Sequence, residues 1–113
     1  MHEMSIALNV IDIAVERAQQ EKARKINEIV LEIGSLSGVL IDSLQFCFES
    51  AVKNTIAHKA RIKIIKQQAT AFCSECGYSF KTDDFIPLCP ECGQMVFDVR
   101  NGREMKIKYL NVD

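Results

Sequence analysis

The sequence predicts an α+β fold in which two helices pack on a three-stranded, mainly antiparallel sheet, with a cysteine-rich lobe inserted before the last strand. Three observations predict it: two segments with apolar residues at helical spacing, three segments with alternating apolar residues, and four cysteines within 20 residues. The chain of 113 residues can bury one modest core and support one small inserted lobe. A multidomain enzyme is excluded.

The two helical segments differ in how they begin. Residues 4–18 are apolar except for a narrow polar stripe, so we expect a helix that is largely covered on its other sides. The second segment follows a Ser37-Gly38 turn, and Asp42-Ser43-Leu44-Gln45 has the pattern of a capping box. We therefore expect Asp42 to be the N-cap of a helix that ends near Asn54.

Three segments have the alternation of β-strands. Residues 26–33 form the first, and residues 61–66 and 105–110 form two more strands that are half exposed. The predicted order is helix, strand, helix, strand, cysteine lobe and strand. The predicted domains are residues 1–69 plus 99–113, forming an α/β domain, and residues 70–98, forming the lobe.

The cysteine pattern indicates a metal site. Two Cys-x2-Cys pairs, each followed by glycine, are separated by the 12 residues 77–88. Four thiolates can bind one tetrahedral ion at about 2.3 Å and leave no open position for catalysis. We therefore predict a four-cysteine, zinc-ribbon-like lobe with structural Zn²⁺, in preference to an iron–sulfur or redox site. The predicted ligands are Cys73, Cys76, Cys89 and Cys92.

Charge argues against nucleic acid as a partner. The net charge is −1, and residues 70–98 contain one basic residue, Lys81, against five acidic ones. A zinc ion with four thiolates would add two further negative charges. Because a phosphate backbone would be repelled, we predict no nucleic-acid binding.

The N-terminus is the second chemical feature. The α-amine of Met1, the amide nitrogen of His2 and the His2 imidazole could close chelate rings around Ni(II) or Cu(II), and Glu3 could add a carboxylate. On the chemistry alone this signal is weak, and an exposed histidine beside a glutamate that favours the start of a helix is the preferred interpretation. Both interpretations stay open at this level.

The remaining sequence features give little information about function. No apolar run reaches the length of a membrane span and no signal-peptide pattern is present, so we expect a cytoplasmic protein without a membrane partner. Cys47 is expected to be a buried hydrophobe and His58 to be solvated. No arrangement of catalytic residues or cofactor-binding loop is visible, so we expect no enzyme activity.

Taken together, the motifs resemble the HypA/HybF family of hydrogenase-maturation nickel metallochaperones. The resemblance spans essentially the whole chain and is carried by the Met1-His2-Glu3 start, by residues 30–39 (VLEIGSLSGV), by residues 46–49, and by the cysteine quartet with LCPECG at 88–93. In some members the second residue after the Gly38-type turn is acidic and lies near nickel. In this chain that residue is Leu40, and the nearest acid is Asp42.

The resemblance implies a function. His2 would carry transferable Ni²⁺, supported by Glu3 and, less directly, by the backbone amine of Met1, while the four cysteines would hold zinc. The ion would be delivered to the large subunit of [NiFe]-hydrogenase together with a nickel-binding GTPase, and in some members to urease maturation proteins. The chain would act as a monomer or a homodimer. The alternative function is a zinc-ribbon adaptor for protein interactions with no nickel role.

Overall fold

The computed structural model describes residues 2–113. In this part of the chain there are two helices and six strands, in the mixed order that the sequence predicts, with three short strands added inside the lobe. The elements are α1 (Glu3–Gln20), β1 (Ile26–Gly34), α2 (Ile41–Ala51), β2 (Arg61–Gln67), β3 (Ala69–Phe72), β4 (Ser79–Thr82), β5 (Asp98–Arg100) and β6 (Met105–Val112).

The strands form two three-stranded sheets, ordered β2-β1-β6 and β4-β3-β5. In the second sheet β3 pairs antiparallel with both neighbours. In the first sheet, the Arg24 amide donates to the Asp113 carbonyl at 2.7 Å, and the Gly34 amide donates to the Glu104 carbonyl at 2.8 Å. These bonds at opposite ends of β1 show that β6 runs antiparallel to it. The predicted α+β class with an inserted four-cysteine lobe is confirmed.

The chain divides into two compact units. The helical unit consists of the chain up to Glu32 together with Val39–Ile65 and Lys106–Asp113. The cysteine unit consists of Ile33–Gly38 and Lys66–Met105, so it includes more of the chain than residues 70–98. No helix of the described residues is long and apolar enough to span a membrane.

In the helical unit, α1 and α2 pack against each other. The buried face of α1 has small or branched residues three or four positions apart, which allows a close approach of the two helices: Ala7, Val10, Ile11, Ala14 and Ala18. The expectation that α1 is largely covered is wrong. Met4, Leu8 and Ile13 are each at least 40% exposed, because only one face of the helix has packing partners.

The predicted cap of α2 is also wrong. The N-cap is Leu40, which has extended backbone angles and makes no side-chain capping bond, and Asp42 lies exposed in the first turn. The Leu44 amide donates to the Leu40 carbonyl at 2.9 Å, which places the helix start two residues before the capping-box position. The helix ends at Ala51, three residues earlier than the apolar spacing suggests.

The cysteine quartet takes part in a small apolar cluster of the cysteine unit. The buried members of this cluster are Ala71, Cys73, Cys89 and Val96, with Phe80 and Val99 packed against them. The cluster buries little apolar surface, since two of its four members are cysteines of the quartet. The thiols therefore take part in both the packing and the candidate metal site of this unit.

Candidate metal centres

The four clustered cysteines lie on two matching turns. In the first turn the Cys73 amide donates to the Tyr78 carbonyl at 2.9 Å and the Gly77 amide donates to the Cys73 carbonyl at 2.7 Å. The second turn repeats the pattern, with the Cys89 amide bonded to Gln94 and the Gly93 amide bonded to Cys89, at 2.9 and 2.8 Å. The repeated geometry holds two thiols on each turn.

Glycine follows each turn because of backbone conformation. Gly77 and Gly93 have φ values of 77° and 76°, in the left-handed region that favours glycine. A β-carbon at either position would meet nothing within 4 Å. The requirement for glycine is therefore conformational, and no close contact has to be relieved.

The four sulfur atoms fit a single tetrahedral ion. All four lie within 4.8 Å of one another, and the Cys73–Cys92 and Cys76–Cys89 Sγ atoms are each 3.6 Å apart. A tetrahedron with metal–sulfur bonds of about 2.3 Å has edges of about 3.8 Å. All four residues are free thiols. The donor set and spacing match a closed structural zinc centre with no position for a reacting molecule.

The thiols differ in proton affinity. For Cys76, the Tyr78 amide lowers the pKa, but burial and hydrogen bonds from the other three thiols raise it to about 12. For Cys89, burial raises the pKa, but the Cys92 and Glu91 amides and neighbouring thiols lower it to about 7. The pKa of Cys92 is raised, since burial and two neighbouring thiols outweigh the Gln94 amide. The quartet thus holds protons that a bound metal would displace.

His2 is positioned as the N-cap residue of α1. Its backbone is extended, with φ −96° and ψ 100°, and its carbonyl accepts the amide of Ile6 at 3.2 Å. The side chain is exposed and makes no capping hydrogen bond. Within the described residues, no hydrogen bond engages its imidazole or its amide. Because the side chain is exposed, its imidazole can be approached from solvent.

Glu3 is held by a contact that the sequence does not reveal. Its Oε2 accepts the backbone amide of Leu40 at 3.4 Å, across 37 positions of the chain. This long hydrogen bond joins the start of α1 to the start of α2 and satisfies the backbone amide of the N-cap residue of α2. The contact also brings Glu3 close to position 40. No local pattern could have predicted it, because it arises from the packing of the two helices.

Three further residues named in the sequence analysis have different outcomes in the structure. The Met1 amine, expected as a nickel ligand, lies outside the described residues. Cys47 is half-buried on α2 and is no member of the quartet. His58 is exposed, as predicted, and its Nδ1 lies 2.9 Å from the Thr55 carbonyl oxygen, to which it can donate.

Comparison with known proteins decides the family. A family model described as "Hydrogenase/urease nickel incorporation, metallochaperone, hypA" matches residues 1–112. The chain belongs to the HypA family. The resemblance stated from its motifs is confirmed, and this HypA-family chain is a nickel-incorporation metallochaperone of hydrogenase maturation. Metallochaperones carry a metal ion.

Individual HypA relatives match over the full length. Hydrogenase maturation factor HypA of Prosthecochloris aestuarii is 40% identical over 113 residues, covering 100% of both chains. HypA 2 of Bradyrhizobium diazoefficiens is 39% identical with the same coverage. The solution structure of the Ni metallochaperone HypA from Helicobacter pylori aligns with a TM-score of 0.69 at 25% identity, covering 99% of this chain and 97% of that chain.

Proposed function

We propose that the chain binds one Ni²⁺ through its N-terminus and delivers it to the large subunit of [NiFe]-hydrogenase. The observation that carries the proposal is His2, whose side chain is exposed, makes no capping hydrogen bond and precedes Glu3. The ligands would be the imidazole and amide nitrogens of His2, the carboxylate of Glu3 and the amine of Met1. Planar nitrogen donors favour Ni(II) over Mg²⁺ or Ca²⁺.

The position of His2 favours transfer over permanent storage. A cation beside the first turn of α1 meets the positive end of the helix dipole. The Glu3 carboxylate offsets this repulsion, and the site lies on an exposed chain end from which an acceptor protein can remove the ion. Nickel is therefore cargo, and the chain's residues hold it without chemical change and without catalysing a reaction.

We further propose that Cys73, Cys76, Cys89 and Cys92 hold a structural Zn²⁺. Residues 70–98 would form the zinc-binding part, and residues 1–69 with 99–113 the nickel-binding part. When bound, the ion supplies cross-links that the small apolar cluster of the cysteine unit lacks. The four thiols require a reducing compartment, which supports a cytoplasmic location.

The partners follow from the family's role in hydrogenase maturation. We propose a nickel-binding GTPase and the hydrogenase large subunit as partners, with urease maturation proteins as a further acceptor group. The acidic residues 70–98 disfavour nucleic acid, and a membrane partner is not expected. The chain would act as a monomer or a homodimer.

Titration calorimetry with the two histidine variants tests the nickel site. Nickel is added to zinc-loaded protein with an untagged N-terminus, as wild type, His2→Ala and His58→Ala. Removing a ligand should cost at least the 10- to 100-fold that loss of a supporting contact costs, so we expect His2→Ala to lose about 100-fold or more in affinity. His58→Ala should bind like wild type, and both variants should keep one zinc per chain.

Equal nickel affinity in His2→Ala and wild type would overturn the proposal. A variant with one residue added before Met1 is an independent test of the nickel site, because the addition removes the α-amine from its place beside His2. If neither change affects nickel while partner binding persists, the zinc-ribbon adaptor is the correct function. The zinc site has its own matched pair: Cys73→Ser should lose stoichiometric zinc and Cys47→Ser should retain it.

A further inference from the structure

The cysteine unit carries an open groove beside the cysteine quartet, with which it shares Cys73. Its volume is about 500 Å³. Val96 and Cys73 line its base at 3% and 1% exposure, while Phe97, Met95 and Phe72 line it with exposed fractions of 70%, 56% and 41%. Soluble monomers rarely leave several large apolar side chains together in water without a binding role. The groove is therefore a candidate docking surface.

Acidic residues flank these apolar walls. Glu75 is exposed on the first cysteine turn, and no ion pair among the described residues involves it. Asp98 lies opposite Phe72 in the pairing of β3 with β5, and it forms a two-point ion pair with Arg100 at 2.9 and 3.1 Å. Because such an exposed pair contributes little, an incoming cation can share Asp98. The surrounding residues 70–98 contain five acids and one base.

We infer that this groove binds a short segment of a partner protein in which Lys or Arg residues flank two apolar side chains. The apolar side chains would cover Phe97, Met95 and Phe72, and the cations would lie against Glu75 and Asp98. The charge of the groove favours this occupant, because the Glu75 and Asp98 carboxylates would repel an acidic segment or a nucleic acid. The inference concerns a surface separate from the proposed nickel ligands and does not depend on them.

Fluorescence anisotropy with a synthetic probe tests the inference on the full, zinc-loaded chain. The probe is a fluorescein-labelled hexapeptide in which lysine and arginine flank phenylalanine and leucine. We expect saturable binding that weakens with added salt. Phe97→Ser should weaken it about tenfold or more, because it removes the most exposed anchor. Glu75→Gln should weaken it about threefold, since it removes one exposed charge pair.

Two control variants share the chemistry of these changes but lie outside the groove. Glu91→Gln changes the acid at the equivalent position of the second Cys-x2-Cys turn, and Ile86→Ser removes an apolar side chain that is 54% exposed. Both should bind the probe like wild type. One zinc per chain in every variant, with unchanged amide NMR spectra away from the substitution, establishes that the fold is intact.

Several outcomes would overturn the inference. The proposed basic partner segment is wrong if a probe with glutamate in place of the basic residues binds as tightly as the basic probe. The same conclusion follows if a single-stranded RNA hexanucleotide binds as tightly. The assignment of binding to this groove is wrong if the groove variants and their controls bind the basic probe with the same affinity. If sedimentation shows self-association that Phe97→Ser abolishes and the basic probe does not compete with it, the groove binds a second copy of the chain.

Discussion

At the scale of single residues, Glu3 has two separable roles. Its carboxylate accepts the Leu40 amide and is also a proposed nickel ligand. Glu3→Gln keeps an oxygen that can accept this hydrogen bond but loses the negative charge. We expect Glu3→Gln to lower nickel affinity by about tenfold or more while changing the free energy of unfolding by less than about 0.5 kcal/mol.

Glu3→Ala is the comparison, because it removes both the charge and the acceptor. It should lose nickel affinity to the same extent and also about 0.5 to 1 kcal/mol of stability. Nickel calorimetry and thermal unfolding of the two variants measure these effects. If Glu3→Gln binds nickel like wild type and Glu3→Ala does not, Glu3 acts by positioning the chain and is no nickel ligand.

Gly34 is fixed by a close approach of backbone. A β-carbon at this position would lie 2.1 Å from the Gly102 carbonyl oxygen and 2.7 Å from the Arg103 nitrogen, and neither backbone group can rotate away. At Gly38 a β-carbon would meet nothing within 4 Å, although φ is +80°. A substitution at Gly34 therefore meets a steric clash, whereas a substitution at Gly38 meets only the conformational preference.

We expect Gly34→Ala to lower the free energy of unfolding by about 3 kcal/mol or more, because it overpacks a site that cannot relax. Gly38→Ala should cost about 1 to 2 kcal/mol, from the left-handed conformation alone. Denaturant unfolding of zinc-loaded protein measures both. Equal effects of the two substitutions would show that the 33–38 and 99–105 segments can separate easily.

At the scale of secondary-structure elements, α2 begins without a side-chain cap. Leu40 is the N-cap, is 68% exposed and offers no acceptor to the free amides of the first turn. We expect Leu40→Ser to stabilise the protein by about 1 kcal/mol, since a serine oxygen can accept an amide of the first turn and little buried surface is lost. Thermal unfolding measures the change.

Leu8→Ser is the matched control, because Leu8 is an exposed leucine in the middle of α1. There a serine has no free amide to accept, so the substitution should be neutral or slightly destabilising. Stabilisation by Leu8→Ser of the same size would show that reduced surface hydrophobicity, and no cap, explains the effect at position 40.

The errors of the sequence analysis share one cause. The fold class, the first helix and the three long strands follow from local periodicity, and the quartet follows from cysteine spacing. The cap of α2 cannot be predicted from local sequence. Asp42-Ser43-Leu44-Gln45 has a valid local pattern, but the helix begins after Leu40. The Leu40 amide donates to the Glu3 carboxylate, which is distant in sequence. The two compact units divide within β1, β2 and β6 and after Gly38.

At the scale of the whole molecule, a net charge of −1 conceals an uneven distribution. Residues 70–98 hold five acids and one base, whereas β2 and β6 carry lysine and arginine on exposed positions. Some of these cations are matched by carboxylates on β1, as in the Arg61–Glu28 and Lys106–Glu32 pairs, both 3.9 Å apart. Acids outnumber bases in residues 70–98, so this segment presents a negative field to other proteins.

The zinc affinity of the cysteine quartet should depend on pH, because zinc binding displaces protons. Only thiolates bind zinc, and in the metal-free quartet the pKa is about 12 for Cys76, raised for Cys92 and about 7 for Cys89. At pH 7 Cys76 and Cys92 therefore keep their protons, and Cys89 is about half ionised. We expect zinc binding at pH 7 to release about two to three protons from these three thiols.

The sign of the pH dependence follows. Because zinc displaces protons, its apparent affinity should rise with pH and should fall by at least about a hundredfold between pH 7 and pH 6. Zinc calorimetry in buffers with different ionisation enthalpies counts the released protons, and Cys47→Ser should give the wild-type count. Release of fewer than two protons would mean that the metal-free quartet is already largely ionised, so that acid would weaken the zinc site only slightly and the cysteine unit would stay folded at lower pH.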